Sequence, residues 1–597
     1  MTAKPSPTFL KKSFFWLIIL AFPLALLFSI EVLLRLSDYR AEYQELFIAV
    51  PEHEDQLIAN PSFSTRYFPA FRPQVAPNTF LHKKDGNTFR VFVLGGSSAQ
   101  GFPYNYYHSF AANLERSLLA ETVGLNIEVI NLGMTAINSY VLQDVAHRIL
   151  PYEPDAVVIY AGHNEFYGSF GVGTSQFGLG NAIGVKRLIL HLKNLRLYQF
   201  IERFIGVKKE QTQNRTLMAE VVKEASIGFE GDIYYDGLEQ FDVNLTSTVL
   251  AFTEKNIPVY LGTLASNLAD QAPMSDNPAA LASFEKANVL LREDKSDSAF
   301  HYFELAKEYD GIRFRAPKEL NKFIASYEQL DHSYVVDVYE LAKQQSVNGI
   351  PGNNWFTDHL HPTAAANQAI GKLFYERIAA THPKLENHLS SSTISLDLAL
   401  SSFDKTYAEV QISRLLFGYP FVKNQNADQE RIRFESYYNQ QLNRSFIDSL
   451  AALTWRTQRQ SSLSLTDIIN SRTAQGDSLS VMQHYVPLAY WQLFNKNLLL
   501  KGANYALNNR ELDSQSALIL QLAAKNFPKE LFITSSLAAL YLVNQDLKRA
   551  EFWLKKAESI NPDDSSTLYN FARLYAIRKD SVNAKIYFDK YRKTLEN

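Results

Sequence analysis

The sequence contains no cysteine, which excludes disulfide bonds, thiolate nucleophiles and cysteine-ligated zinc, although it does not by itself identify a compartment. An excess of either charge is missing too: 59 Lys and Arg stand against 62 Asp and Glu, for a formal net charge of -3. With no global basic field, nucleic acid is not an expected partner. Length and apolar content are plentiful. At 597 residues, 46% hydrophobic and 20% charged, the chain exceeds what one core supports, so two or three domains are expected.

The N-terminus carries one long apolar run. Phe14 to Ile30 is uncharged over 17 residues and continues through Val32 to Leu34 past a single Glu31, near the minimum for a helix that crosses a bilayer. Lys4, Lys11 and Lys12 precede it without an acidic residue, whereas Glu31, Arg35, Asp38, Arg40 and Glu42 follow as a mixture. The positive-inside bias then puts residues 1–12 in the cytoplasm and makes 13–36 a single-pass anchor. The rest of the chain is expected outside the cytoplasm, in the periplasm or at the cell surface if the source is bacterial. The segment SIEVLLRL lacks a small-x-small cleavage site, which favours an uncleaved anchor over a signal peptide.

Residues 37–87 are aromatic and proline-bearing without sustained periodicity, and read as a connector lying on the main domain. From there to about 385 short apolar strands alternate with helical stretches. The strands are Val91 to Leu94, Ile127 to Leu132, Asp155 to Tyr160, Pro258 to Thr263 and Tyr334 to Val338. That pattern predicts a parallel sheet in a three-layer α/β domain. Two helical insertions interrupt it, near 169–250 (helices over Ala182 to Ile205 and Gln211 to Ala225) and over 277–323. Insertions over the carboxyl ends of strands commonly shape a pocket, and a structural brace is the plainer alternative. After 386 the strands stop. Leu537, Ala538, Leu540, Tyr541, Ala550 and Leu554 align with Phe571, Ala572, Leu574, Tyr575, Ala584 and Phe588 at an offset of 34 residues, the period of tetratricopeptide (TPR) repeats. The repeat is clearest over 497–597, with a degenerate unit starting near Tyr490, and such a module offers a surface for a protein partner.

The stretch RVFVLGGSSAQG, Arg90 to Gly101, is the one most suggestive of chemistry. A buried strand ends in Gly95 and Gly96, and the sharp turn delivers Ser97 to the point where a strand hands over to a helix. Ser98 is the competing hydroxyl.

Four blocks in this region resemble the signature blocks of the SGNH, or GDSL-type, esterase and lipase superfamily. They are LGGSSAQG with Ser97, VINLGMTAINSY with Gly133, VVIYAGHNEFYG with Asn164, and DHLHPT with Asp358 and His361. Each block alone is weak, but all four occur in order, at strand ends or before the last helix. Two departures are visible. Gly96 stands where the family usually has aspartate, and Glu165 where it more often has Asp. The resemblance covers about residues 88–380. It implies a flavodoxin-like α/β/α fold and a Ser97, His361, Asp358 triad. It also implies an oxyanion hole built from the Ser97 and Gly133 backbone N–H groups and the Asn164 side chain. No cofactor or metal is implied.

The residue chemistry agrees with those roles. A serine hydroxyl needs an imidazole to take its proton, and the imidazole needs a carboxylate to hold its tautomer. Asp358 and His361, three residues apart, can serve one serine. His359 competes with His361, and His163, Glu165, His359 and His361 together could be misread as a metal cluster. The literal string GDSL at Gly476 to Leu479 lies in polar helical sequence with no strand before it, so Asp477 or Ser478 is expected to cap the next helix instead. The reading that follows is a membrane-anchored serine esterase acting on an acylated lipid or surface glycan. The alternatives are an O-acyltransferase with the same triad, or an inactive scaffold whose repeats bind a partner.

Overall fold

The computed structural model describes residues 7–40, 43, 45–68, 72–173, 182–205, 226–422 and 427–596. Helix α1 (Pro7–Leu36) contains the apolar stretch Phe14–Leu36, of mean hydropathy 2.6, and its side chains are exposed along most of its length. A long helix that is apolar all round and unburied has the character of a membrane span or a signal sequence.

The segment expected as an irregular connector instead carries a small antiparallel sheet of β1 (Phe47–Val50), β2 (His53–Ala59) and β3 (Thr79–Leu81). Its Phe47, Leu57 and Phe80 are buried in the main core, where the Phe80 ring meets Phe92 edge-on at 5.8 Å. Strands of three to seven residues separated by prolines are too short to give a clear period of two.

The main sheet has five parallel strands, β4 (Thr88–Gly95), β5 (Asn126–Asn131), β6 (Ala156–Tyr160), β7 (Val259–Gly262) and β8 (Ser333–Val336), in the order β5-β4-β6-β7-β8. All eight residues of β4 are buried, as befits a central parallel strand covered on both faces. Arg90 sits inside that strand with no exposed surface, and its Nε pairs with Glu128 Oε2 at 2.7 Å on the neighbouring β5. Its other nitrogens donate to the carbonyls of Tyr152 and Leu81, so this buried charge is fully paired.

Helices α2 (Ser97–Gln100), α3 (Phe110–Glu121) and α4 (Ser139–Ile149) follow the first strands. The first insertion supplies α5 (Ile183–Leu192), α6 (Arg196–Ile205) and α7 (Asp232–Thr253). The single helix expected from Ala182 to Ile205 is thus two, and the one expected over Gln211 to Ala225 lies outside the described residues. The second insertion is a hairpin of α8 (Pro278–Arg292) and α9 (Ser296–Tyr309), followed by α10 (Lys318–Ser326), α11 (Val338–Gln344) and α12 (Ala364–Thr381). Helices α3 and α12 cover one face of the sheet, with Phe110 stacked on Phe374 at 5.4 Å, while α4 and α7 pack together on the other. The result is the three-layer α/β arrangement.

Beyond it the chain is helical. Helices α13 (Ser402–Leu416) through α17 (Ser478–Trp491) lead to hairpins of α18 (Lys496–Leu507) with α19 (Asp513–Asn526), α20 (Leu531–Val543) with α21 (Leu547–Ile560), and α22 (Ser565–Ile577) with α23 (Ser581–Glu596). The last two hairpins start 34 residues apart. Asp477 caps α17 by accepting from Ser480 N, so the GDSL string is a helix start. The helical part packs on the α/β part. Arg549 donates to the carbonyls of Ala120, Thr122 and Ser390, and Tyr106 Oη donates to Tyr490 O at 2.6 Å.

Candidate active site

Flanking strands β5 and β6 lie on opposite sides of β4, so the crevice at their carboxyl ends is a topological switch point, where open α/β sheets bind ligands. Ser97 follows β4 there and Asn164 follows β6. Gly95 is required at the turn because a Cβ on it would lie 2.3 Å from Tyr160 O and 2.6 Å from Ala99 Cβ. Ser97 is the first residue of α2, and its Oγ lies 2.7 Å from His361 Nε2. Ser98 Oγ turns instead to Leu360 O at 3.4 Å.

The loop before α12 holds the other two residues. Asp358 Oδ1 accepts from the main-chain N–H groups of Leu360 and His361 at 2.9 and 2.8 Å, an Asx-type turn that fixes the carboxylate. Its second oxygen, Oδ2, is then presented to His361 Nδ1 at 2.6 Å. This turn is why three residues of spacing suffice for acid and base to meet. Nδ1, facing a carboxylate, carries the proton, which leaves Nε2 to accept from Ser97. Burial works to raise the Asp358 carboxyl, but the facing His361 and His359 imidazoles hold it well below the usual carboxylate range.

Two contacts steady this arrangement that the sequence did not reveal. Asn267, beyond β7, donates to Asp358 O at 2.9 Å, and the Phe102 ring packs on His361 with centroids 4.6 Å apart. Phe102 begins the loop whose Tyr107 donates to the buried carboxylate of Asp404 on α13 at 2.6 Å, so the helical part braces the loop that covers the imidazole.

The expected oxyanion donors do not all assemble. The Asn164 side chain lines the cleft with Gly96 and Ser97, and its amide makes no hydrogen bond among the described residues. The Ser97 N–H stands at a helix start, where no intrahelical acceptor exists. Gly133 departs from expectation: its N–H donates to Asn131 Oδ1 at 2.9 Å, and it is not among the cleft-lining residues. Glycine is needed there for packing, since a Cβ would lie 2.4 Å from Gln100 N. Nearby, Ala136 adopts a φ of 61° just before Ile137, which does line the cleft.

The remaining candidates are pocket residues. His163 is pushed down to about 3 by burial and by the neighbouring His359 and His361, and its Nδ1 accepts from Ala316 N at 3.2 Å. Burial likewise lowers His359, whose ring meets Phe314 edge-on at 5.9 Å. Glu165 faces away, accepting from Ser139 Oγ at 2.7 Å and Gln240 Nε2 at 2.8 Å, and burial pushes it up to about 7. Ligand-type atoms of Asp358, His359 and His361 lie within 4.8 Å of one another. Two of those residues, however, are committed to each other, with the free nitrogen of His361 turned to Ser97.

The space at Ser97 is small. A cavity of about 10 Å³ is lined by Ser97, Ile137, Tyr160, His163, Asn164 and Leu360 among others, room for about one water molecule. A larger cleft of about 530 Å³ lies on the Asp358 side, walled by Tyr104, Asn267, Asp270 and Asn353 and by Lys405, Glu409 and Ile412 of α13.

Comparison with solved structures finds a lipase/acylhydrolase from Enterococcus faecalis, at 15% identity over 51% of this chain and 98% of that one, TM-score 0.26. A GDSL-like lipase from Bacteroides thetaiotaomicron matches at 13% identity over 49% and 88%, TM-score 0.26. A catalytic mutant of an acetylxylan esterase from Geobacillus stearothermophilus matches at 12% over 50% and 96%, TM-score 0.26. These likenesses assign no activity to this chain. No family model matches the chain, and no curated protein does. The chemistry therefore rests on the site's geometry.

Proposed function

We propose that the protein is a membrane-anchored, extracytoplasmic serine ester hydrolase specific for short acyl groups. The observation that carries this reading is the unbroken hydrogen-bonded chain from Asp358 through His361 to Ser97. Ser97 Oγ attacks the ester carbonyl carbon as its proton passes to His361 Nε2, and Asp358 stabilises the imidazolium. The tetrahedral oxyanion is met by the Ser97 N–H and the Asn164 amide. The Gly133 N–H, engaged with Asn131 Oδ1, is not free to serve as a third donor. Collapse expels the alcohol, which takes the proton from His361, and leaves an acyl ester on Ser97. Water, activated by the same imidazole, then releases the acid and restores Ser97.

The space beside the nucleophile is narrow, which favours a small acyl group such as acetyl over a fatty acyl chain. The larger cleft carries Asn267, Asp270, Asn353, Lys405 and Glu409 among apolar walls, side chains able to hydrogen-bond a hydroxyl-rich alcohol part such as a surface glycan. The basic flank Lys4, Lys11 and Lys12 supports a cytoplasmic N-terminus and a site on the other side of the membrane.

The test is release of free acid from p-nitrophenyl acetate and octanoate, with fluorophosphonate labelling. Acetate is expected to be favoured by about 10²-fold or more in kcat/KM. Ser97→Ala is expected to lose both turnover and labelling, whereas Ser478→Ala keeps both. Labelling of Ser97→Ala at the wild-type level would refute the nucleophile, and equal use of octanoate would refute the short-acyl specificity.

A further inference from the structure

Glu31, the one charge that interrupts the apolar run, is only 9% exposed and has a partner 165 residues away. Its two oxygens accept the Arg196 and Leu197 main-chain N–H groups, at 3.1 and 2.7 Å, and thereby cap the start of α6. Arg35 completes the joint, pairing with Glu31 Oε1 at 2.7 Å and donating to Asn194 O. A carboxylate at the edge of a membrane span is costly unless paired in this way.

The joint fixes a depth. Helix α1 continues five residues past Glu31, to Leu36, about 7.5 Å at 1.5 Å per residue. Over that distance it presents apolar side chains without a protein cover: Leu33 is 64% exposed and Leu36 78%. For these to reach lipid, the start of α6 must sit at the boundary of the hydrocarbon region. Helices α5 and α6 also carry their own exposed apolar residues. Val185 and Leu188 are spaced three apart on α5, Leu195 lies in the turn, and Ile201 is on α6. Phe200 meets Tyr39, just beyond the anchor, with centroids 5.8 Å apart.

We propose that α5 and α6 lie on the membrane surface beside the anchor, with Val185, Leu188, Leu195 and Ile201 dipping into the lipid interface. The occupant of this face is the bilayer, because the face continues from the span through the Glu31 joint. The catalytic part is then held against the membrane at fixed orientation instead of swinging on a tether. This rests on reading α1 as a membrane span.

The absence of cysteine makes the test clean. Single variants Leu188→Cys, Ile201→Cys, Leu24→Cys and Val582→Cys of the full chain are spin-labelled and reconstituted into phosphatidylethanolamine–phosphatidylglycerol vesicles. Collision with dissolved oxygen is compared with collision with a water-soluble nickel chelate. Labels at 188 and 201 are expected to give an oxygen-to-nickel ratio several-fold above that at 582 and approaching that at 24. If 24 reads as lipid while 188 and 201 read as water, or are shielded from both reagents, the interfacial placement is refuted and the anchor stands. If 24 itself reads as water, the anchor reading fails and the placement with it.

Discussion

A single methyl group at position 96 tests the oxyanion arrangement. Gly96 has φ −82° and ψ −154°, extended and outside the left-handed region that favours glycine, so its φ does not bar Gly96→Ala. The one heavy atom an added Cβ would meet within 4 Å is Asn164 Nδ2, at 2.9 Å. Ordinary contact begins near 3.4 Å, so the amide must retreat by about 0.5 Å from the position in which it can donate to the oxyanion. Loss of one such donor typically costs about 10² to 10³ in kcat, or roughly 2.7–4 kcal/mol, and a misplacement of this size is expected to cost about 10- to 100-fold. The assay is a double-mutant cycle on p-nitrophenyl acetate hydrolysis, with Gly96→Ala, Asn164→Ala and the pair, and melting temperature as a control for folding. If the methyl acts through the amide, it costs little once the amide is gone, and the two effects are strongly non-additive. Additive effects, or an unchanged kcat in Gly96→Ala, would refute the role given to Asn164.

Asp358→Asn keeps the acceptor for the Leu360 and His361 N–H groups, but its amide group faces His361 Nδ1 and selects the imidazole tautomer with the proton on Nε2. A fall in kcat of about 10⁴-fold is expected, and a loss of less than about tenfold in a folded variant would remove Asp358 from the triad. The Glu165 carboxyl, pushed by burial from an ordinary 4.5 up to about 7, keeps its proton in the native state over a range where the unfolded chain has released it. Stability therefore falls as pH rises through that window, by up to about 3 kcal/mol. Glu165→Gln, neutral throughout, is expected to flatten the fall in melting temperature between about pH 5 and pH 8, and parallel profiles for the two proteins would contradict the assignment.

What could be read from the sequence was chemistry carried by residues close together in the chain. All five short runs form strands of the main sheet, and the inner ones, β6 and β7, are almost continuously apolar because a parallel strand covered on both faces must be. Asp358 and His361 were legible for a similar reason, since an Asx turn brings their side chains together without help from elsewhere. Gly133 shows the limit. Its glycine identity is required, but by the close approach of Gln100 N, and the side chain that takes its N–H sits only two residues away. Spacing alone does not tell a glycine needed for packing from one needed as a donor. Asn267 and Phe102 carried no signal at all, because each acts through a contact that only the folded chain creates. Glu31 is the extreme case. In the sequence it is a flaw in an apolar run, while in the fold its carboxylate replaces the acceptors that the first N–H groups of α6 lack. A polar residue out of place in its own segment points to a partner in another, and in this chain that partner ties α1 to the part of the fold that carries Ser97.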